Sequence, residues 1–111
     1  MADIIKVETA ENGVTTVTMN RPGKRNAMSD ELLHALDGFF RAPPEGTKVI
    51  VLTGVEGHYC SGLDLAEHKQ RDAEGTMRHS RGWHEIMDRI QYGGIPVVSA
   101  MFGAVIGGGL E

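Results

Sequence analysis

Two apolar runs in this chain end abruptly in glycine. Val49-Ile50-Val51-Leu52 leads through Gly54 into the small-residue stretch from Gly57 to Asp64, and Ile95 to Ala100 leads into Gly103 and then Gly107-Gly108-Gly109. An apolar run too short for a helix and bounded by glycine reads as a strand. A strand buried on both faces is the usual component of a parallel sheet. Glycine supplies 15 of the 111 residues, roughly twice its ordinary share. Backbone at such positions turns tightly or comes close to something else.

The remaining segments fit around these two runs. Ile4 to Thr9 and Val14 to Asn20 are β-branched stretches separated by Glu11-Asn12-Gly13, and Asn-Gly is a strong hairpin signal. From Ser29, a suitable N-cap, Leu32, Leu33, Leu36, Phe39 and Phe40 recur at helical spacing until Pro43-Pro44. After the Gly57–Asp64 loop, a charge-mixed stretch from Glu67 to Arg81 turns helical in its second half. Met77, Trp83, Ile86, Met87 and Ile90 then form one apolar stripe, read as core. The order is strand, strand, helix, strand, loop, helix, strand, loop, and the start of another helix. Strands alternating with helices imply an α/β fold, and ligands in such sheets sit at the carboxyl ends of the strands. The two glycine loops should therefore lie side by side at that edge.

Composition narrows the function. Eleven Lys+Arg against fifteen Asp+Glu give a net charge of −4, the wrong sign for a nucleic-acid or anionic-membrane partner. One cysteine makes no internal disulfide, and the N-terminus lacks a signal-peptide pattern, so a cytoplasmic location is expected. The uncharged stretch from Gly93 to Leu110 contains Gly103-x-x-x-Gly107, a spacing seen in membrane helices, yet its glycines and Pro96 read better as strand and turn. The five histidines have no ligand spacing and read as surface residues, so no metal is expected. Cys60 has no base fixed by spacing and reads as a small, half-buried residue, not a nucleophile.

A glycine loop at a strand end exposes backbone N–H groups, and a helix start adds the positive end of its dipole. Donors from two such loops, aimed at one point, make an oxyanion hole. Each donor in such a hole is worth roughly 3–4 kcal/mol of barrier. Glu111, three residues after Gly108, puts a carboxylate within one turn of the second loop, where it can act as general acid or base.

Tyr59-Cys60-Ser61-Gly62-Leu63-Asp64-Leu65 resembles the first glycine loop of the enoyl-CoA hydratase/isomerase (crotonase) superfamily, and Val97 to Glu111 resembles its second signature. Met19-Asn20-Arg21-Pro22 and Arg25-Asn26-Ala27-Met28 look like its N-terminal coenzyme A loop. The motifs stand in the family's order. The resemblance implies a crotonase-like α/β fold of ββα units, with residues 1–111 as the N-terminal part of a single acyl-CoA-binding domain. It also implies that the C-terminal helices are missing here, so that these residues by themselves would be inactive.

The same resemblance implies roles. The amides of Leu63 and Gly108 would hold the thioester carbonyl as it becomes an enolate, and Glu111 would activate water. Lys24 and Arg25 would lie near the coenzyme A phosphates, with Ala27, Asp64 and Leu65 contributing to the nucleotide end. His68 and Trp83 would line the acyl pocket. The implied reaction is hydration of a trans-2-enoyl-CoA. No resident cofactor is implied, because the substrate itself is the coenzyme A thioester. The implied partners are copies of the chain, in a homotrimer or hexamer. Isomerase, hydrolase and lyase chemistry share the same enolate hole, and a non-catalytic coenzyme A-binding module is the competing class.

Overall fold

The computed structural model describes residues 3–55, 57–68 and 72–110, with only the backbone of Glu67 and His68. Strands β1 (Ile5–Thr9) and β2 (Val14–Met19) form an antiparallel hairpin. Helix α1 (Asp30–Arg41) then carries the chain to β3 (Val49–Gly54), which lies parallel to β2. A short helix, α2 (Leu65–His68), precedes the long α3 (Ala73–Tyr92), and β4 (Val97–Ser99) runs parallel to β3. The sheet order is β1-β2-β3-β4. Each parallel pair is joined by a crossover containing a helix, as parallel pairing requires.

Local sequence explains the helix ends. Ser29 is extended, with φ −83° and ψ 167°, and its hydroxyl accepts the Leu32 N–H at 3.2 Å. Asp30 and Glu31 occupy the first turn, where negative charge meets the positive end of the helix dipole. Asp72 caps α3 by accepting the Gly75 N–H at 2.7 Å. An ion pair from Arg89 to Asp37 ties α3 to α1, and Arg41 approaches the same carboxylate at 2.9 Å.

One face of the sheet carries the core. Val17 and Met19 from β2 and Ile50 and Leu52 from β3 meet Leu32, Leu33, Leu36, Phe39 and Phe40 of α1 and Ile86 of α3. Cutting Leu36, fully enclosed here, back to alanine removes buried volume that its neighbours cannot refill, a loss of about 2–5 kcal/mol. Thr15 is buried on that face as well, and its hydroxyl is paired with Thr9 at 3.0 Å and Thr47 at 2.7 Å.

Three expectations change. The Val49–Leu52 run is not enclosed on both faces: Ile50 and Leu52 are buried while Val49 and Val51 are half-buried, because helices cover one side of the sheet. β4 is shorter than the Ile95–Ala100 run and is not a buried strand. It pairs with β3 alone, and Val98, opposite Val51, is 56% exposed. Met77 leaves the expected core stripe. It stands nine positions before Ile86, about two and a half helical turns, so it faces away from the core and is 59% exposed, whereas Ile86 is buried and Trp83 and Ile90 pack against the core.

Candidate active site

The two glycine loops do lie side by side. Beyond the end of β3, the Tyr59 N–H donates to the Phe102 carbonyl at 2.9 Å and the Cys60 N–H to the Ala104 carbonyl at 3.0 Å. The Ile106 N–H returns to the Cys60 carbonyl at 3.1 Å. These bonds make a parallel bridge between Cys60 and Val105, which extends the β3–β4 pairing past the sheet. The last turn, Gly107–Gly109, closes on the same segment. A Cβ on Gly109 would fall 2.4 Å from the Cys60 carbonyl oxygen, so only glycine lets the second loop approach this closely.

The first loop is also held from the other side, by the segment that follows β2. The Met28 N–H donates to the Gly62 carbonyl at 2.7 Å, and the Asp64 N–H donates to the Met28 carbonyl at 3.2 Å. In this parallel bridge Met28 makes both bonds, so the N–H of its partner Leu63 faces away from it. The neighbouring Gly62 N–H points to the Cys60 sulfur at 3.4 Å. In the Gly107–Gly109 turn, the Gly109 and Leu110 amides donate to the Ile106 and Gly107 carbonyls. The leading amides of such a turn have no acceptor within it. The first two amides of the turn, those of Gly107 and Gly108, are therefore not used within it.

Other expected site residues gather around the first loop. Lys24 and Arg25 are exposed, and their carbonyls accept the Ser61 hydroxyl at 3.3 Å and the Ser61 N–H at 3.0 Å, which sets the basic pair beside the loop. The Ala27 carbonyl accepts Arg21 Nη1 at 2.9 Å, and the same nitrogen meets the Asp64 carboxylate at 2.8 Å. Leu65, at the start of α2, is 65% exposed. A cavity of about 320 Å³ opens beside the second loop, bounded by Met28, Leu52, Tyr59, Met87, Gly109 and Leu110. Trp83 is not brought to it. The indole lies 5.6 Å from the His79 ring, in a separate groove between α1 and α3. Glu111 and the side chain of His68 lie outside the described residues.

Burial sets the local proton chemistry. Cys60 is fully enclosed rather than half-buried, because loops press on it from two sides, and desolvation pushes its thiol above the ordinary range. A thiol kept protonated is a poor nucleophile. Tyr59 is likewise raised by burial, a shift partly opposed by the hydrogen bond from its hydroxyl to Ser99 Oγ at 3.2 Å.

Three residues that position the loops escaped the sequence reading of the site. Arg21 pins Ala27 and Asp64 together, as described. Asn26 is fully buried in the left-handed region, at φ 56°. Its Oδ1 accepts the Arg21 N–H at 2.7 Å and its Nδ2 donates to the His58 carbonyl at 2.9 Å. His58 was expected at the surface, yet it is half-buried because its ring turns inward between the loops, where Nδ1 accepts the Ala104 N–H at 2.8 Å. His79 is also drawn inward, its ring set between α1 and α3. The Asn-Arg-Pro and Arg-Asn-Ala-Met motifs did mark the first two positions, without saying what their side chains hold.

Comparison with known proteins agrees with this architecture. The family model for enoyl-CoA hydratase/isomerase matches residues 9–111. The mouse "Enoyl-CoA hydratase domain-containing protein 2, mitochondrial" is 38% identical over 106 residues, which is 89% of this chain and 34% of that protein. The 2,3-dehydroadipyl-CoA hydratase of Escherichia coli K12 is 32% identical over 100 residues, 88% of this chain and 38% of that one. Among solved structures, an enoyl-CoA hydratase from Thermoplasma volcanium superposes with a TM-score of 0.90 at 30% identity, over 99% of this chain and 44% of that chain. One from Bacillus anthracis gives 0.89 at 28% identity, over 96% and 42%. This chain thus spans well under half of each relative, and it has their α/β crotonase-like fold. It belongs to the enoyl-CoA hydratase/isomerase family.

Proposed function

We propose that the whole protein hydrates a trans-2-enoyl-CoA through an enolate held by the amides of Leu63 and Gly108. The observation that carries this reading is the paired loop geometry. Leu63 turns its N–H away from Met28, and the turn containing Gly108 is seated against Cys60 in the adjoining segment. The names of the relatives, hydratases of coenzyme A thioesters among them, supply the reaction class.

In this mechanism the thioester oxygen accepts both N–H groups. Glu111 takes a proton from water as the water oxygen bonds to the β-carbon. The π electrons of the double bond move toward the thioester and create the enolate, whose charge the two donors stabilise. Delivery of a proton to the α-carbon then quenches the enolate and completes the addition of water. Lys24 and Arg25 face the coenzyme A phosphates, and Ala27, Asp64 and Leu65 frame the nucleotide end. The acyl group extends toward the cavity beside Gly109, and His68 contributes to the acyl pocket in this reading. Trp83, in its separate groove, is not part of this proposal.

The reading includes a homotrimer or hexamer and a cytoplasmic setting. Among the described residues no helix is long and apolar enough to cross a membrane. The mouse relative's name carries a mitochondrial location, so cell fractionation decides that point.

The test is crotonyl-CoA hydration by the whole protein. Glu111→Gln should lower turnover by roughly 10²–10⁴-fold while coenzyme A affinity stays close to that of the parent. Gly108→Pro removes one donor and should cost about 10²-fold or more in a variant whose circular dichroism is unchanged. Full turnover by either variant removes that residue from the mechanism. A shifted double bond in place of a hydrated product would reassign the reaction to isomerisation.

A further inference from the structure

One side chain reaches from the first loop to the second without lying in the proposed oxyanion hole. His58 follows Gly57 in the first loop, and its ring Nδ1 accepts the Ala104 N–H at 2.8 Å. Its own carbonyl is fixed by Asn26 Nδ2 at 2.9 Å, which anchors the residue from behind. Ala104 is gripped on both sides, since its carbonyl accepts the Cys60 N–H at 3.0 Å. The second loop is shaped to admit the imidazole. Gly103 adopts φ +60°, and a Cβ there would stand 2.7 Å from Nδ1 and 1.9 Å from the Gly57 carbonyl oxygen. Because Nδ1 accepts, the ring proton belongs on Nε2.

We propose that His58 is a positioning residue: by accepting the Ala104 N–H it fixes the turn carrying Gly108 against the loop carrying Leu63, and so sets the spacing of the two amides. The proposal rests on the reading of those amides given above. Three residues separate Ala104 from Gly108, and the bond from the Ile106 N–H to the Cys60 carbonyl lies between them. Loss of the imidazole acceptor releases the start of this short path and leaves a half-buried amide without its partner. Asparagine at position 58 would restore an acceptor, because its Oδ1, like Nδ1, is one bond from Cγ.

The experiment compares His58→Ala and His58→Asn in the whole protein, by crotonyl-CoA kinetics and by amide hydrogen exchange over residues 103–110. His58→Ala should lower kcat about tenfold or more with KM nearly unchanged, since small misplacements of reacting groups are amplified in rate. Exchange in the second loop should quicken in the same variant, and His58→Asn should recover both properties. If His58→Ala does not fold, His58→Gln, whose acceptor sits one bond further out, takes its place with the same expectation. Parent-like kcat in His58→Ala overturns the proposal, whether or not exchange quickens. Gly108→Pro, assayed alongside, separates the two ideas. Full turnover in that variant defeats the two-amide reading, whereas its inactivity beside a fully active His58→Ala defeats the His58 assignment alone.

Discussion

Gly109 and Cys60 touch through their backbones: a methyl group on Gly109 would stand 2.4 Å from the Cys60 carbonyl oxygen and 2.8 Å from the Cys60 Cβ. Both obstacles are rigid, since one is backbone and the other is the first atom of a fully buried side chain. Gly109→Ala must therefore push the two loops apart. We expect a stability loss of about 1–3 kcal/mol, typical of overpacking, together with reduced turnover of crotonyl-CoA. Urea unfolding of the whole protein measures the first, and an alanine variant as stable as the parent would refute the contact.

Asn26 predicts a second large effect. Its carboxamide satisfies the Arg21 N–H and the His58 carbonyl in a site closed to water. Asn26→Ala strands both partners and should cost about 2–4 kcal/mol, as two unsatisfied buried groups imply. Asn20, whose Nδ2 bond to the Asp3 carbonyl at 2.8 Å is solvent-exposed, is the internal control. Asn20→Ala should cost well under half as much in the same denaturation experiment.

The Ser29 cap gives a smaller and more local expectation. Ser29→Ala removes the acceptor of the Leu32 N–H and should destabilise the protein by about 1 kcal/mol. Ser29→Asp should restore most of that loss, because an aspartate serves the same N–H and adds favourable charge at the helix start. A neutral alanine variant would show that water replaces the hydroxyl.

Alkaline pH should weaken the fold. Burial raises the Cys60 thiol above its ordinary value of 9.0 and the Tyr59 phenol above its ordinary 10.0. The unfolded chain therefore ionises first as pH rises through these values. The stability contributed by keeping both groups neutral is complete below pH 9 and is lost progressively above it. Unfolding midpoints should hold steady from pH 7 to 8.5 and fall by pH 10. Cys60→Ala should flatten the earlier part of that fall, and an unchanged slope would contradict the burial of the thiol as its cause.

Much of this architecture was legible in the chain because local signals agreed. Asn12-Gly13 gave the hairpin, Ser29 with its leucine and phenylalanine spacing gave α1, and the two glycine loops gave their own adjacency. Burial was less legible. Val51 and Val98 have the sequence character of core residues, yet whether the outer face of a strand is covered depends on what packs there, which no periodicity records. The bridges between loops were harder still. His58 looked like a surface histidine because its Ala104 partner is 46 positions away in the chain. Asn26 looked like a turn residue, and only the fold brings β2, the basic segment and the first glycine loop around its side chain.

The burial of Cys60 also provides a clock. It is the only cysteine in the sequence, and its sulfur is enclosed where the two loops meet. A thiol reagent in solution can reach that sulfur only when the loops part, and a protonated thiol in the closed state barely reacts. The rate at which a reagent modifies this one sulfur therefore counts openings of the junction that holds the two amides. Ligands that brace the junction will slow the count at Cys60, and substitutions that loosen it will quicken it, with no label introduced.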